Sequence, residues 1–441
     1  MTEYITNKFR RDITLLTAII IASSLFLGCG KSKKAGINSI SLQINEIIDT
    51  SSILESTVNL NETIETVTLQ EGQIPVIYRN HIYITSEINK VSGNFVFDTG
   101  ADGLYLDSTF FANAAFGQFK FTQAFLPGAG SEGPQKVKVI NDFITLKFNN
   151  INKNTSFAPI FLLKPVLGDF ADGIIGKEFF IKQILEINYF QEFLRLYNEI
   201  EMVDLSGYVK ISMKNERNRL FVPAVIQIND AISIQDYLLL DLGSGGSISI
   251  TSKTADKYKL SVNISEKVPY YTKYGGISGQ SSSCYFCTKS VELGGYKLND
   301  VVMDYSEDKS GALSNKDHAG LLGNGILEHF DVIIDFINND LYLKPNKNYN
   351  KPFSFSKRGF GFVDRSITKN SWIVTGLYKE SNAEKAGLKI DDKIISINGI
   401  NIKDIPYKKQ SEFWQKTDKV TLIVLRNEEE KKIEFDLKTV L

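Results

Sequence analysis

Short runs of hydrophobic residues, separated by polar turn residues, make up most of the chain. From about residue 80 to 345 these runs are rich in Ile, Val, Phe, Tyr and Leu, and Gly, Asn, Asp or Ser separates them. Runs of this length between turn residues are typical of β-strands. The pattern therefore predicts a mainly β fold with little room for long helices before the C-terminal end. Residues 30–79 are more polar and predict a tether with one or two short strands.

The pattern changes after residue 348. Residues 406–416 can form a short helix, and the apolar segments 420–426 and 432–437 predict a hairpin across the charged turn 427–431. Residues 349–441 are therefore predicted to form a small α+β domain of their own.

A sequence repeat relates two parts of the β region. An apolar strand that ends in Asp-x-Gly and a small residue, followed by a second apolar strand, occurs at residues 95–106 and again at 238–250. The two aspartates are Asp98 and Asp241. A glycine-bounded element follows each copy, GIIG at 173–176 and GLLG at 320–323, a separation of 147 residues (320 minus 173) that is kept over the next 20 residues or so. The repeat predicts two homologous β lobes, residues 78–210 and 211–348.

The position of the repeated aspartates favours acid–base chemistry. Asp98 and Asp241 each lie where an apolar strand meets a glycine-containing turn, so each carboxylate should be partly desolvated and held by backbone amides. A pseudo-twofold axis between the lobes can bring the two turns together. Two carboxyl groups near such an axis share one proton. One can then act as general base on a water molecule while the other protonates a carbonyl oxygen.

The repeated motif resembles that of a known family. Residues 98–101 (DTGA) with 174–176 (IIG) resemble the signature of retropepsin-like aspartyl proteases, and the repetition resembles the two-lobed pepsin-like arrangement. The resemblance implies two closed, barrel-like lobes in a pseudo-twofold bilobal unit, with Asp98 and Asp241 catalytic. The active-site loops that it implies contain Thr99, Gly100 and Ala101 in one lobe and Leu242, Gly243 and Ser244 in the other.

The two implied loops differ at the position after the aspartate. In the family that residue makes hydrogen bonds that lock the two loops together, which Thr99 can do and Leu242 cannot. Members of the family also close a β-hairpin flap over the substrate, and the glycine-rich stretches 126–133 and 275–279 lie at suitable places. Such stretches are otherwise plain mobile loops. A polypeptide substrate would bind along the cleft by strand addition.

The C-terminal segment resembles a PDZ domain. The resemblance rests on residues 383–388 (AEKAGL) and 391–399 (DDKIISING). Gly359, Phe360, Gly361 and Phe362 resemble the carboxylate-binding loop of such domains. Backbone amides there can hold a peptide C-terminus while the peptide, or another extended segment, adds to the sheet edge. The alternative is a domain that serves only for packing or positioning.

The N-terminus is typical of an exported protein. Lys8, Arg10 and Arg11 precede the apolar run 13–27, and Gly28 precedes Cys29. This looks like a bacterial lipoprotein signal and implies cleavage after residue 28, lipidation of Cys29 and a tether over residues 29–77. A plain transmembrane anchor is the alternative, but about 15 residues are short for a bilayer span. The sequence therefore predicts a lipid-anchored protein of the cell envelope, on its periplasmic or surface side.

Charge and cysteine content narrow the remaining possibilities. The net charge of −1 argues against a nucleic-acid partner. Cys284 and Cys287 are either a local disulfide or two unlinked strand cysteines, and the three histidines show no paired spacing for a metal. No cofactor or metal is expected. The prediction is an aspartic endopeptidase of exported proteins or peptides, whose PDZ domain binds substrate or regulates access. A catalytically inactive peptide-binding lipoprotein scaffold is the alternative, and Leu242 is its main support.

Overall fold

The computed structural model describes residues 70–114, 116–126, 130–131, 134–276 and 279–441. Within these ranges the protein is mainly β, which confirms the predicted class, and the strands form two sheets of 15 and 14 strands. The longest helix of these ranges has 10 residues and lies near the C-terminus. No helix in the same ranges is long and apolar enough to cross a membrane. The predicted signal, Cys29 and the tether as far as residue 69 lie outside the described residues.

The elements alternate short strands with a few short helices. The strands before residue 213 are β1 (Gln73–Tyr78), β2 (Ile82–Ile88), β3 (Val91–Asp98), β4 (Leu104–Asp107), β5 (Phe121–Leu126), β6 (Gln135–Ile140), β7 (Ile144–Phe148), β8 (Ile151–Thr155), β9 (Ala158–Phe161), β10 (Gly173–Gly176), β11 (Ile184–Asn188), β12 (Phe193–Tyr197) and β13 (Val209–Ser212). The later strands are β14 (Lys214–Glu216), β15 (Arg219–Gln227), β16 (Ser233–Leu240), β17 (Ile248–Ile250), β18 (Val268–Thr272), β19 (Ser281–Leu293), β20 (Tyr296–Ser306), β21 (Gly320–Leu322), β22 (Phe330–Asp335), β23 (Asp340–Pro345), β24 (Phe360–Arg365), β25 (Ser371–Tyr378), β26 (Lys393–Ile397), β27 (Ile400–Asn401), β28 (Lys419–Arg426) and β29 (Glu429–Asp436). The α-helices are α1 (Ser108–Asn113), α2 (Lys164–Leu167), α3 (Ser252–Lys257), α4 (Leu260–Asn263), α5 (Asn324–Leu327), α6 (Ser366–Lys369), α7 (Asn382–Lys385) and α8 (Tyr407–Lys416), and single 3-10 turns occur at Lys177–Phe179, Ile200–Met202, Ala312–Ser314 and Ile402–Asp404.

The repeated sequence motif has the same strand pairing in both sheets. In the first, β10 pairs in parallel with β3, which ends at Asp98, and antiparallel with β4. In the second, β21 pairs in parallel with β16, which ends one residue before Asp241, and antiparallel with β17. A short helix follows β4 in the first copy and β17 in the second. The side chain of Asp107 caps the first helix, and that of Thr251 caps the second. The inner strands β10 and β21 are buried along their whole length, which explains why they read as continuous apolar runs.

Strands from both halves of the repeat meet near one end of the first sheet. The strand order there is β13-β23-β22-β11-β12-β1. The equivalent strands β11 and β22 are antiparallel neighbours, and Glu186 lies opposite Ile333, 147 residues further on (333 minus 186). Strands related by a twofold axis pair in this way, because each contributes the same surface to the contact. An approximate twofold relation between the repeated segments would therefore have its axis between Glu186 and Ile333. Strand β13 spans the predicted lobe boundary at 210/211 and pairs with β23.

The C-terminal residues form a separate core of aromatic and aliphatic side chains. Its largest members are Phe360, Trp372, Trp414 and Phe435. The predicted helix at 406–416 is present as α8. The predicted five-residue turn 427–431 was wrong. Asn427 and Glu428 both have positive φ and make a two-residue turn whose twist suits a hairpin, so the charged residues that follow belong to β29.

Both described cysteines lie on β19. Cys284 is buried, Cys287 is exposed, and neither is in a disulfide. Residues three positions apart on a strand point to opposite faces, so these two thiols cannot meet. Of the two possibilities left open by the sequence, unlinked strand cysteines is the one observed.

Candidate active site

The two repeated aspartates lie in turns of the same construction. Asp98 is the last residue of β3, and its Oδ1 accepts hydrogen bonds from the backbone N–H groups of Gly100 and Ala101 at 2.7 and 3.1 Å. Asp241 follows β16, and its Oδ1 accepts one from Gly243 N at 2.9 Å. Both carboxyl groups are fully buried. The turns therefore hold each carboxyl group in one fixed orientation, as expected from their Asp-x-Gly sequence.

The two turns face each other across the boundary between the lobes. A Cβ atom at Gly243 would lie 2.4 Å from Cγ of Asp98, and one at Gly100 would lie 3.1 Å from Oδ1 of Asp241. Each glycine thus leaves room for the carboxyl group of the opposite lobe. The carboxyl groups of Asp98 and Asp241 therefore lie next to each other. The structure brings together two side chains that are 143 residues apart (241 minus 98).

Burial dominates the electrostatics of this aspartate pair. Loss of solvation raises the pKa of Asp98 to about 6, although the Gly100 and Ala101 amides and the ammonium group of Lys177 act in the opposite direction. Loss of solvation, and then the charge of Asp98, hold the pKa of Asp241 well above its ordinary value. Two carboxyl groups in this situation share one proton over a wide pH range.

One side chain hydroxyl connects the two turns. Thr99 Oγ1 donates to the backbone oxygen of Leu240 at 2.8 Å and accepts from the backbone N–H of Leu242 at 3.0 Å. The Leu242 side chain is fully buried and has no polar atom with which to return the contact. The lock between the turns therefore comes from the first lobe alone, as the difference between Thr99 and Leu242 led us to expect.

A residue that sequence reasoning missed holds the second turn instead. The buried Asn324 donates from Nδ2 to the backbone oxygens of Leu242 and Ser244 at 2.7 and 2.9 Å. Its Oδ1 accepts a hydrogen bond from the hydroxyl of Tyr189, a residue of the first lobe, at 2.8 Å. Asn324 directly follows the GLLG element, so its position in the repeat was the signal that could have found it.

The other predicted loop residues lie where the repeat places them. Gly100, Ala101, Gly243 and Ser244 are all buried beside the pair. Among the described residues, no group of three or more His, Cys, Asp or Glu side chains is arranged to hold a metal ion.

The predicted carboxylate-binding loop leads into β24. Phe360 and Phe362 point into the core of the C-terminal domain, and Gly359 has a φ of 75° that suits glycine. The guanidinium of Arg358 lies 5.6 Å from the ring centre of Trp414, a residue of α8. In the described part of the chain β24 pairs with one strand only, β25. A cation therefore stands beside the loop, at the end of a strand that has one edge without a strand partner.

Comparison with known protein families matches residues 373–426 to the model of the PDZ domain. The chain contains a PDZ domain. The matched residues lie within the predicted span 349–441, and the prediction of a PDZ domain is confirmed. A comparison with curated proteins finds no match.

The PDZ domain continues the sheet of the second lobe. Strand β18 pairs antiparallel with β25, and Tyr270 lies opposite Tyr378. The hydroxyl of Tyr270 would lie only 2.2 and 2.0 Å from Cβ atoms placed on Gly361 and Gly376, two glycines that face each other across β24 and β25. These glycines therefore form a notch that the Tyr270 side chain fills. Gly361 is thus engaged by the second lobe as well as belonging to the predicted carboxylate-binding loop.

The PDZ domain is also fixed to the first lobe. The buried carboxylate of Asp169 accepts hydrogen bonds from Arg365 Nε at 2.5 Å and from the backbone N–H of Thr368 at 2.7 Å. Its own backbone N–H donates to the carbonyl oxygen of Asp364 in β24 at 3.0 Å. Asp169 lies in the segment that leads into β10, the strand beside Asp98. The sequence held no signal for this contact, because its partners are about 196 residues apart in the chain.

The two connections that carry the predicted flaps are in contact through described residues. Ser131, between β5 and β6, donates from its N–H and its hydroxyl to the carbonyl oxygen of Gln280, between β18 and β19, at 3.1 and 2.9 Å. The hydroxyl of Ser310 donates to Ser131 O at 2.7 Å. Residues 127–129, 132–133 and 277–278 of these stretches lie outside the described residues. The second hairpin is the one whose strand β18 pairs with the PDZ domain.

The notch for Tyr270 gives a stability prediction. Gly376→Ala should destabilise the protein by about 1 to 3 kcal/mol, because the new methyl group overlaps the Tyr270 ring. Tyr270→Ala in the same chain should remove most of that cost. Urea unfolding of the four members of this double-mutant cycle measures the coupling. Tyr271→Ala, on the same strand but half exposed, is the control that should not couple, and equal coupling at both tyrosines would contradict the packing described.

Proposed function

We propose that the chain is an aspartic-type endopeptidase that hydrolyses polypeptides with Asp98 and Asp241. The observation that carries the proposal is the pair of buried carboxyl groups that lie next to each other at equivalent positions of two repeated strand motifs. A solitary buried aspartate is ordinarily a turn residue. Two of them placed together are costly to the fold and have no structural need for each other, which favours a catalytic role.

The geometry of the pair supports a general acid–base mechanism. Oδ1 of each aspartate is occupied by backbone amides, whereas no N–H or O–H group of the other described residues donates to either Oδ2. In the proposed reaction the ionised carboxylate removes a proton from a water molecule, and the protonated carboxyl group donates its proton to the oxygen of the scissile carbonyl. The attack forms a tetrahedral diol. The carboxyl group that took the water proton then protonates the amide nitrogen, the other carboxylate takes a proton from a diol hydroxyl, and the C–N bond breaks to give a carboxylic acid and an amine. The resemblance to retropepsin-like and pepsin-like proteases implies the same roles.

The PDZ domain makes a polypeptide the natural partner. PDZ domains bind peptide C-termini or extended segments, so a polypeptide partner agrees with the family match. We propose that the domain also regulates access, since it pairs with β18 and the connection from β18 to β19 contacts Ser131 of the β5–β6 connection. The contact between Ser131 and Gln280 would have to open to admit a chain between the lobes.

A catalytically inactive peptide-binding scaffold is the second candidate. It is favoured by the PDZ domain itself and by Leu242, which leaves one half of the lock between the turns without a hydroxyl. Such a protein would bind peptides and hydrolyse none.

Cleavage of an unfolded protein by the purified full-length chain separates the two candidates. The test uses reduced, alkylated casein between pH 3 and pH 8, in the absence and presence of a peptide that carries a non-hydrolysable secondary alcohol in place of the scissile bond. The peptidase proposal expects cleavage that this alcohol inhibits, because it mimics the tetrahedral diol. Binding of the alcohol peptide without cleavage favours the scaffold, and cleavage that it does not inhibit contradicts the aspartate mechanism.

We further propose that the chain is exported and held at the cell envelope by a lipid on Cys29. The basic residues, the apolar run and the cysteine of the N-terminus support this location. Incorporation of labelled palmitate into the chain in bacterial cells tests it, and a product that keeps residues 1–28 and carries no label would contradict it.

A further inference from the structure

The repeat places two unlike residues at one equivalent position beside the active-site turns. Lys177 follows the GIIG element and Asn324 follows the GLLG element, 147 residues apart (324 minus 177). Each begins the short helical turn after its inner strand, and each is buried. Asn324 holds the turn of Asp241 by hydrogen bonds from a neutral amide. Lys177 holds the turn of Asp98 by donating from Nζ to Oδ1 of Asp102 at 2.5 Å.

The backbone places Lys177 beside the turn of Asp98, because Gly176 lies opposite Asp98 and the N–H of Lys177 donates to the carbonyl oxygen of Ala101 at 3.1 Å. The side chain of Lys177 is 4% exposed, whereas that of its partner Asp102 is 42% exposed, so solvent screens the partner's negative charge more than the ammonium group. The ammonium charge lowers the pKa of Asp98, in opposition to burial. For Asp241, burial and the charge of Asp98 raise the pKa, and the backbone amides of Gly243 and Ser244 lower it. The repeat is therefore symmetric in its backbone and asymmetric in its charge.

Other ionisable groups stand around the pair and must be considered with Lys177. Glu178, the next residue, has its pKa raised to about 7 by burial and by Asp102. His81, whose ring lies against Gly245, has its pKa lowered to about 4 by burial and is neutral above that pH. Tyr105 on β4 and Arg219 on β15 also interact electrostatically with the two turns.

We propose that Lys177 is a positioning residue that polarises the aspartate pair. Its ammonium group, anchored on Asp102, keeps the negative charge on Asp98 and the proton on Asp241. Asp98 is then the general base toward water, and Asp241 is the general acid toward the carbonyl oxygen. This assignment rests on the proposed function and goes beyond it, because a symmetric pair would leave the two roles interchangeable.

The pH dependence of cleavage tests the assignment. Lys177→Met removes the charge and keeps most of the side-chain volume. It should raise the acid-side midpoint of the kcat/KM profile by about one pH unit, which is about a tenfold loss of kcat/KM below that midpoint. Lys177→Arg should restore the wild-type midpoint. Lys182→Met, an exposed lysine of the same segment, and Glu178→Gln should leave it unchanged.

A second substitution, expected to shift the acid-side midpoint in the opposite direction, keeps the proposal testable if Lys177→Met does not fold. Asp102→Asn removes the anion that offsets the ammonium group and should lower the acid-side midpoint. A lower kcat in Lys177→Met with an unmoved midpoint, or shifts of the same sign in the Lys177 and Asp102 variants, would overturn the proposal in favour of a purely structural ion pair.

Direct titration keeps this proposal separate from the proposed function. Carbon-13 labelling of aspartate carboxyl groups allows Asp98 and Asp241 to be titrated by NMR in a chain that need not be active. Asp98 should lose its proton at lower pH than Asp241, and Lys177→Met should narrow the interval between the two. If the wild-type chain cleaves nothing, the peptidase proposal fails while this titration still decides the role of Lys177. An interval that Lys177→Met leaves unchanged would refute it.

Discussion

Replacing either carboxyl group of the pair, by Asp98→Asn or by Asp241→Asn, should lower kcat/KM for polypeptide cleavage by about a thousandfold or more. Acid–base catalysis by one positioned group contributes about 10² to 10⁴ in rate, and here loss of one carboxyl group disables both roles, because the two share one proton. Initial rates on casein at the optimal pH measure the effect. Asp256→Asn, on the exposed face of α3, is the control that should retain full activity.

The same substitutions should leave the fold intact and change its pH dependence. The pKa of Asp98 is raised to about 6 by burial, so the folded state keeps a proton that the unfolded chain loses above about pH 4. Stability from this group is therefore full at pH values below about 4 and is lost as the pH rises through about 6. Asp98→Asn should remove that loss and be at least as stable as the wild type at pH 7 in urea unfolding. An inactive variant that is also unfolded at pH 7 would say nothing for catalysis, and a folded variant with a tenth of wild-type activity would contradict the proposed mechanism.

Much of the site was predictable because its parts belong to a repeat. The constant separation of 147 residues implied that Gly173–Gly176 and the GLLG element occupy equivalent places, and the structure pairs each with the strand before its aspartate. The Lys177 and Asn324 position could also have been read from this separation. The effect of Lys177 on the aspartate pair could not be predicted from the sequence. It depends on how much solvent reaches Lys177 and Asp102, which the order of residues does not reveal.

The attachment of the PDZ domain shows where sequence reasoning stops. Asp169 and Tyr270 occur in segments without any motif, and their partners lie about 100 to 200 residues later in the chain. A carboxylate that pairs across domains looks in the sequence like any surface acid. Gly361 was assigned to a carboxylate-binding loop, which is still a prediction, and its contact with Tyr270 depends on a surface that only the folded second lobe provides.

The hydroxyl of Thr99 should be the most costly single polar atom to remove from the interface between the lobes. In Thr99→Val the side chain keeps its shape, but the backbone oxygen of Leu240 and the backbone N–H of Leu242 both lose their partner while they stay buried. A buried group left without a partner costs about 1 to 3 kcal/mol, so the two together should lower the free energy of unfolding by about 2 to 6 kcal/mol.

Urea unfolding and cleavage rates together measure what Thr99 contributes. Thr99→Ser keeps the hydroxyl and should recover most of the stability. Thr145→Val removes a hydroxyl that bonds to Asn89 at the surface and should change the free energy of unfolding by less than about 0.5 kcal/mol. Because Leu242 offers no hydroxyl in return, Thr99→Val leaves the second turn held by Asn324 alone, and the separation of the two carboxyl groups should be less well fixed. We therefore expect kcat/KM to fall by more than about tenfold even in the absence of urea, where the variant is folded. A variant that unfolds like the wild type would mean that solvent reaches Leu240 and Leu242, and that the lobes are held together by the β11–β22 pairing without the lock.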